Sequence, residues 1–133
     1  MSGLRIVRVM HEVGDLAEAA RGYATLLDTP GEPVGGGRHY FRLDGPILGI
    51  VEVAGGGRAP RPAGQDLYLE AGELQPVHER AARLGWLSRG DVHGKPGGEI
   101  VVRPWGERSF YVEDPWGNGL CFVETGSLFT GKR

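Results

Sequence analysis

The chain has 133 residues, enough for one ordinary domain, with 40% hydrophobic residues and a formal net charge of −2. That charge provides no basic field for nucleic acid, and no stretch stays apolar for the ~18 residues that a membrane-spanning helix needs. A single cysteine, Cys121, excludes an internal disulfide, and the first ten residues lack the apolar core of a secretory signal, so we expect a cytoplasmic protein.

The first half of the chain predicts one helix among several strands. Residues 4–10 are rich in valine and isoleucine, which is typical of a strand. Asp15 and Glu18 have the spacing of a helix N-terminus, and apolar residues recur at helical intervals from Leu16 to Leu27, before Pro30. Further strands are predicted at residues 38–43 and 47–53, joined by a hairpin-type turn at 44–46.

The second half repeats this order after a glycine-rich segment. Residues 54–65 have no periodicity and are interpreted as a linker. A strand is predicted at residues 66–70 and a helix at 74–84, with Gly85 as its C-terminal cap. Residues 86–98 are interpreted as a loop. Strands are then predicted at 99–103, 108–113 and 119–124, with a strong turn signal at 114–118.

The two halves are related by an internal repeat. Residues 40–44 resemble 110–114, and residues 48–52 resemble 120–124. A strand within 31–36 is inferred from this symmetry alone. We therefore predict an α+β fold in a single domain, residues 1–133. Two βαβββ modules, at about 3–54 and 66–126 with a linker at about 55–65, are expected to form a curved mixed sheet, or half-open barrel, around a pocket.

The most specific motif runs from Arg103 to Asn118 and reads Arg-Pro-Trp-Gly-Glu-Arg-Ser-Phe-Tyr-Val-Glu-Asp-Pro-Trp-Gly-Asn. With the later Leu-Phe-Thr-Gly at 128–131, it resembles the vicinal oxygen chelate superfamily, which includes glyoxalase I, extradiol dioxygenases and bleomycin resistance proteins. The similarity is to its small bacterial antibiotic-binding members. The resemblance implies the half-barrel fold and a homodimer, with or without exchange of modules. Because this scaffold carries lyases, dioxygenases, epimerases and non-catalytic binders, the resemblance leaves the function open.

The same resemblance assigns four pocket positions to metal ligands, which are His or Glu in metal-dependent members. At these positions the chain has Arg8, Gly49, Asp66 and Cys121. Arginine stays protonated and glycine has no side chain, so fewer than the three protein ligands of a catalytic zinc remain. We therefore expect no metal and no cofactor. A one-residue shift of strand register would change every one of these positions.

The remaining candidate ligands and nucleophiles are weaker. The four histidines are expected at the surface or in loops, with His11 after the first strand and His78 on the exposed face of the second helix. Cys121 is interpreted as a small apolar filler rather than a nucleophile, although Arg8 could be the cation that a reactive thiol needs. His39 and His93 complete the set of histidines.

Aromatic and polar side chains on the predicted strands could line a ligand pocket. By strand alternation, Tyr68 shares a face with Asp66, and Tyr40 shares one with Arg42. Flat aromatic walls beside polar groups suit a planar, partly polar organic ligand, and the alternative is that the aromatics are core. The candidate ligand-binding residues are Ile6, Arg8, Tyr40, Arg42, Gly49, Asp66, Tyr68, Trp105, Glu107, Phe110 and Cys121.

Two hypotheses for the function follow. The first is a metal-free protein that binds a small molecule, an aromatic natural product or antibiotic, and confers resistance by sequestering it. The alternative is a glyoxalase-like or dioxygenase-like enzyme, a lyase, isomerase or oxygenase with a non-standard or absent metal site. Asp66 and Glu107 would then be candidate bases, with Arg8 stabilising an enolate-like intermediate. No catalytic residue is assigned, and whether the chain is an enzyme stays open.

Overall fold

The computed structural model describes residues 3–53 and 58–129. The chain divides into two compact units, Met1–Pro62 and Ala63–Arg133, called unit 1 and unit 2 below. Each unit has one long helix and one four-stranded mixed sheet, which confirms the predicted α+β class and the order βαβββ of its sheet strands and helix. Among the residues described, no helix is long and apolar enough to cross a membrane.

Unit 1 forms a sheet in which the first strand lies beside the last. The strands occur in the order β1-β4-β3-β2; β1 pairs with β4 in parallel, and the other pairs are antiparallel. The elements are β1 Arg8–Val13, α1 Leu16–Leu27, β2 Glu32–Gly35, β3 Arg38–Phe41 and β4 Ile47–Glu52.

The first strand begins four residues later than the sequence predicts. It starts at Arg8, which pairs with Ile47, the first residue of β4, because a strand extends only where a partner strand is present. It then continues through His11 to Val13, and both of these side chains are buried. The Nδ1 atom of His11 lies 2.9 Å from the hydroxyl of Tyr23, so the expectation that His11 lies at the surface or in a loop is wrong.

Helix α1 begins where the sequence predicts. The Oδ1 atom of Asp15 accepts a hydrogen bond of 2.9 Å from the Glu18 amide, as an N-cap should. The Leu16 amide donates to Oε1 of Glu52, which joins the start of the helix to the end of β4. The helix ends at Leu27, and Asp28 takes the left-handed conformation of a C-cap, with φ of 53°.

Unit 2 repeats this arrangement and adds a short hairpin. Its main sheet has the order β5-β10-β9-β8, with β5 and β10 parallel, and a second sheet pairs β6 with β7. The elements are β5 Leu67–Ala71, α2 Leu74–Leu84, β6 Asp91–Val92, β7 Lys95–Pro96, β8 Val101–Val102, β9 Arg108–Glu113, β10 Gly119–Glu124 and a 3-10 helix Thr125–Ser127.

The segment interpreted as a loop, residues 86–98, contains the β6–β7 hairpin. His93 and Gly94 form its two-residue turn, and both have positive φ, 50° and 77°, as a type I′ hairpin turn requires. Strands of two residues are too short to produce a periodic pattern, so the sequence does not predict them.

The interpretation of His78 as an exposed helix residue is also wrong. Its Nε2 atom donates to the carbonyl oxygen of Gly98 at 2.9 Å, and its ring lies 4.9 Å from that of Phe110. His78 is therefore half-buried between α2 and the sheet, because the segment after the hairpin returns against the helix.

The turn between β9 and β10 is held by two buried side chains of the sequence motif. The Oδ1 atom of Asp114 accepts from the amides of Trp116 and Asn118, each at 2.9 Å. The Asn118 side chain donates to Oδ2 of Asp114 at 2.8 Å, and its own oxygen accepts from the Ala63 amide at 2.9 Å. The motif therefore stabilises the turn and also fixes the chain that enters unit 2.

Replacing Asp114 should destabilise the protein. Asp114→Ala removes the acceptor of three hydrogen bonds and leaves buried donors without partners, so we expect the free energy of unfolding to fall by about 2–4 kcal/mol in urea unfolding. The control is Glu113→Ala at the neighbouring exposed position, where the change should stay within about 0.5 kcal/mol. Equal losses in the two variants would contradict the assigned role of Asp114.

Candidate functional site

The sheet of unit 1 has a face opposite α1, which we call the open face. The other face is packed under the helix: His11, Phe41 and Ile50 are buried there, and the ring centroids of Tyr23 and Phe41 are 6.0 Å apart. Because strand side chains alternate, the neighbours of these residues lie on the open face. They are Arg8, Met10, Glu12, Arg38, Tyr40, Ile47, Gly49 and Val51, as the pairing register shows.

Met10, Gly49 and Tyr40 lie side by side on this open face and form a flat surface, which we call the floor. Gly49 pairs with Met10 on one side and with Tyr40 on the other. A Cβ atom at Gly49 would lie 2.6 Å from the Met10 sulfur and 3.0 Å from Tyr40 Cε1, so both side chains close over the glycine backbone. The Arg8 guanidinium carbon lies 5.4 Å from the centroid of the Tyr40 ring, within cation–π range.

Ion pairs lie beside this floor. Arg42 donates to Glu32 at 2.6 Å, and both side chains are largely exposed. Arg58 donates from both Nη atoms to the two oxygens of Glu12, at 2.8 and 2.9 Å. The amide of Arg61 adds a third donor at 2.8 Å. The later part of the predicted linker is therefore tied to β1, whereas residues 54–57 of that linker lie outside the described residues.

In unit 2 the alternation of side chains along β9 places Phe110 on the face of the sheet that is packed under α2. Its ring is fully buried, lies 4.9 Å from His78 on α2 and stacks on Phe122 at 5.4 Å. Phe110, expected among the ligand-binding residues, is therefore a core residue of the helix side. Its neighbour Tyr111 points the other way, because side chains alternate along the strand.

The opposite face of this second sheet carries the exposed Tyr68 beside two buried residues. Tyr68, Cys121 and Tyr111 are adjacent in register, and the Tyr68 and Tyr111 ring centroids are 6.5 Å apart in an edge-on contact. Tyr68, on the edge strand β5, is 56% exposed, whereas Tyr111 and Cys121 are buried. Val92 and Leu128 pack against this buried part.

Burial also determines the chemistry of the Cys121 thiol. Desolvation raises the pKa of Cys121 to about 11, although hydrogen bonds to Ser109 and Tyr111 and the charge of Arg103 act in the opposite direction. Partial burial likewise raises the pKa of the nearby Asp66 carboxyl. Cys121 is therefore a neutral thiol at neutral pH, and Asp66 is the more plausible proton acceptor of the two.

The four positions that the resemblance assigns to metal ligands do not supply a metal site. Arg8 is a fixed cation lying over an aromatic ring, and Gly49 has no room for a side chain. Cys121 is a buried, neutral thiol, which leaves Asp66 as the only oxygen ligand of the four. Within residues 3–53 and 58–129, no three His, Cys, Asp or Glu side chains are grouped to hold an ion. The residues present do not fit a catalytic metal.

The remaining predicted site residues are Trp105 and Glu107, which are hydrogen-bonded to each other, and the exposed Ile6. Trp105 is partly exposed and donates from Nε1 to Oε1 of Glu107 at 2.9 Å. Oε2 of Glu107 accepts from the Phe129 amide at 2.8 Å, so both carboxylate oxygens of this candidate base already hold the chain in place. Ile6 precedes β1 and is strongly exposed.

Arg103 is a residue that the sequence does not single out by its chemistry. It is only 2% exposed, and its guanidinium lies 5.0 Å from the Tyr111 ring. Its Nε atom donates to the Ser109 hydroxyl at 3.1 Å. Arginine is usually a surface residue, so the only sequence signal is that Arg103 begins the motif that carries the family resemblance.

Comparison with known structures identifies the fold. A glyoxalase/bleomycin resistance protein from Albidiferax ferrireducens matches with a TM-score of 0.72 and 21% identity, over 90% of this chain and 97% of the other. A glyoxalase-related enzyme from Fulvimarina pelagi matches with a TM-score of 0.71 and 20% identity, over 92% of this chain and 88% of the other. The oxidase ChaP-H1 matches with a TM-score of 0.70 and 20% identity, over 92% of this chain and 96% of the other.

Comparisons with protein-family models and with curated proteins find no match. The chain has the fold of the glyoxalase/bleomycin resistance proteins, as the resemblance to the vicinal oxygen chelate superfamily implies. Since structures with this fold include both resistance proteins and oxidases, the fold does not decide the activity.

The Glu12–Arg58 pair should make stability depend on acid pH. The hydrogen bond from Arg58 lowers the pKa of Glu12 from 4.5 to about 2. The pair therefore stabilises the fold above pH 4.5, and this stabilisation is lost as the pH falls towards 2. We expect Glu12→Gln to have a lower melting temperature than the parent protein above pH 4.5. Below about pH 2 the two melting temperatures should be equal. Arg58→Gln should give the same profile, and the double variant should add nothing. A difference that persists at the acid end would contradict this assignment.

Native Cys121 should react slowly with alkylating agents. With the pKa raised to about 11, the thiolate is scarce and the sulfur is buried. At about pH 8, iodoacetamide should modify it about 100-fold or more slowly than free cysteine, followed by mass spectrometry. The same protein in denaturant is the control and should react like free cysteine. Native reaction at the free rate would show that the thiol is exposed.

Proposed function

We propose that the chain is a metal-free protein that binds a planar aromatic small molecule, of the kind found among natural products and antibiotics, and sequesters it. The observation that carries this proposal is the floor of the unit 1 open face, where Arg8 lies over the Tyr40 ring above Gly49. A cation and a flat aromatic ring together favour a planar, electron-rich ligand with polar substituents. The α1 helix lies on the opposite face, so it does not cover this floor.

The surrounding chemistry supports binding without turnover. The positions that would hold a metal carry a cation and a glycine in unit 1, and a single carboxylate, Asp66, with a neutral thiol in unit 2. Of the two candidate bases, Glu107 has both oxygens engaged by hydrogen bonds. Sequestration needs only affinity, which aromatic and aliphatic surface with a few polar groups can provide.

Further ligand contacts are proposed for the remaining site residues. Each of these residues is proposed for the exposed surface of its own unit: Ile6 and Arg42 in unit 1, and Asp66, Tyr68 and Trp105 in unit 2. The two aromatic residues of unit 2 keep exposed ring surface, which is available for stacking. The names of similar structures, which include glyoxalase/bleomycin resistance proteins, support a resistance function by analogy of fold.

An enzyme is the second candidate. It is favoured by the raised pKa of the Asp66 carboxyl, because a carboxylate with raised pKa is a better proton acceptor. Similar structures that are named an oxidase and a glyoxalase-related enzyme agree with this alternative.

We also propose that the chain forms a homodimer. Leu4, Ile6 and Val7 precede β1 and expose 85%, 71% and 50% of their surface, so three of the four residues at 4–7 present apolar surface that a second copy could cover. Light scattering on the purified protein measures the mass directly, and a monomer at all concentrations would refute the dimer.

The ligand proposal predicts a particular pattern of variants. A thermal-shift screen of aromatic antibiotics should find a stabilising compound, and calorimetry should show that Tyr40→Leu weakens its binding about tenfold. Tyr40→Phe keeps the ring and should change affinity less than about twofold, whereas Arg8→Gln should weaken binding several-fold. Arg21→Gln, on the exposed side of α1, is the charge-matched control and should have no effect.

Metal analysis separates the two candidate functions. Protein purified without chelators and loaded with zinc, nickel, manganese or iron(II) should retain only a small fraction of an equivalent. A stoichiometric, tightly held metal, or turnover of glyoxalase or dioxygenase substrates that Asp66→Asn abolishes, would replace the binding proposal with the enzyme. Equal affinity of Tyr40→Leu and the parent protein would remove the unit 1 open face as the ligand site.

A further inference from the structure

Unit 2 buries a full positive charge without an acidic partner. Arg103 is 2% exposed, and no carboxylate of the described residues lies within ion-pair distance of it. Its Nη2 atom donates instead to the backbone oxygens of Ser109, Glu99 and Gly97, at 3.1, 3.3 and 3.4 Å. Because a buried charge is costly unless it is compensated, this guanidinium depends on these acceptors and on the Tyr111 ring, 5.0 Å from its central carbon, instead of a carboxylate.

One nitrogen of this guanidinium is left without any partner. The Nη1 atom of Arg103 is buried and has no hydrogen-bond acceptor within the described part of the chain. Buried polar atoms are nearly always hydrogen-bonded, and an exception often marks a position that a water molecule, an ion or a ligand occupies. The two N–H groups of Nη1 therefore have no acceptor among the described residues.

The same arginine lines a cavity of about 210 Å³. One side of the cavity comes from the β6–β7 hairpin and the other from β8 and the residues after it. Two lining residues, Arg103 and Lys95, are cations, and no lining residue is acidic. The lining residues are Val92, His93, Lys95, Val102, Arg103 and Pro104.

The backbone of the hairpin positions the rim of this cavity. His93 adopts a left-handed conformation, with φ of 50°, which is uncommon for a residue with a side chain. Its ring packs edge-on against Trp105, with the centroids 5.2 Å apart. The turn therefore holds His93 at the rim of the cavity, beside the two cations, in a fixed orientation.

We propose that this cavity is a binding site for a small oxyanion, either a carboxylate or a phosphate group. Both groups supply acceptors for a nitrogen that can only donate, and both balance the buried charge. Because Nε and Nη2 of Arg103 already donate within the chain, the anion would bind through Nη1 alone rather than through two guanidinium nitrogens. Lys95 provides a second charge from the exposed side of the hairpin.

The size of the cavity restricts the ligand further. Pockets for drug-sized ligands usually exceed ~300 Å³, so this cavity fits an inorganic anion or the acidic end of a larger molecule. Two of the apolar lining residues, Val102 and Pro104, are exposed, so an anion can reach the cavity from solution. The site consists of residues of unit 2 alone and does not depend on the open face of unit 1.

The test is a titration of the isotope-labelled full chain with sodium phosphate and, separately, with sodium acetate. Sodium chloride keeps the ionic strength constant, and NMR follows the amides of Val92, Lys95 and Val102 together with the Arg103 guanidinium signals. We expect saturable shifts at these positions. Saturation with only one of the two anions supports the site and identifies the class of anion that it takes.

Variants at the rim avoid disturbing the buried arginine. Lys95→Gln should weaken anion binding about threefold, because an exposed charge contributes modestly. Val102→Glu places a carboxylate beside the cavity and should weaken binding more than about fivefold relative to the matched neutral variant Val102→Gln. Arg83→Gln removes an exposed cation of α2 and should leave the affinity unchanged. Tyr40→Leu should also leave it unchanged, which separates this site from the proposed aromatic ligand site.

Three results would overturn the proposal. The first is a shift that does not saturate, or that equals the shift with chloride alone, since a water molecule would then satisfy Nη1. The second is equal weakening by Lys95→Gln and Arg83→Gln, which would indicate only diffuse attraction to positive charge. The third is a saturable shift that Val102→Glu and Val102→Gln affect equally, because a specific anion site must respond to the added carboxylate.

Discussion

The structure depends on one constraint, which is that each four-stranded sheet has a single helix on one of its two faces. Side chains alternate along a strand, so this helix commits every second residue to the core. In unit 1 His11 meets Tyr23 under α1, and in unit 2 Phe110 meets His78 under α2. Their strand neighbours are consequently directed to the opposite face, where a ligand could be bound.

Buried charges are compensated differently at two points of unit 2. Asp114 is buried, but three donors surround its carboxylate, and the result is a rigid turn. Arg103 is equally buried, and its acceptors satisfy only part of the guanidinium. The carboxylate is therefore a structural element, whereas the guanidinium retains unused donors beside a cavity.

Function on this scaffold depends on a few side chains rather than on the fold. The structures that match this chain include resistance proteins and an oxidase, yet their overall similarity to it is nearly the same. What separates the two possible functions is the chemistry at particular positions. Three such positions favour binding rather than catalysis. They carry the guanidinium of Arg8, the bare backbone of Gly49 and the neutral thiol of Cys121.

The sequence by itself determined the module order, the helix Leu74–Leu84, the Asp15 cap and the Asp114–Asn118 turn, because these depend on residues close together in the chain. The family resemblance indicated that Arg8 and Gly49 face one pocket, and strand alternation placed Tyr40 on one face with Arg42. Only the tertiary structure decided that β1 extends through His11, that Phe110 lies under α2 and that Arg103 is buried beside a cavity. Each of these depends on a partner that the fold, not the local sequence, brings into contact.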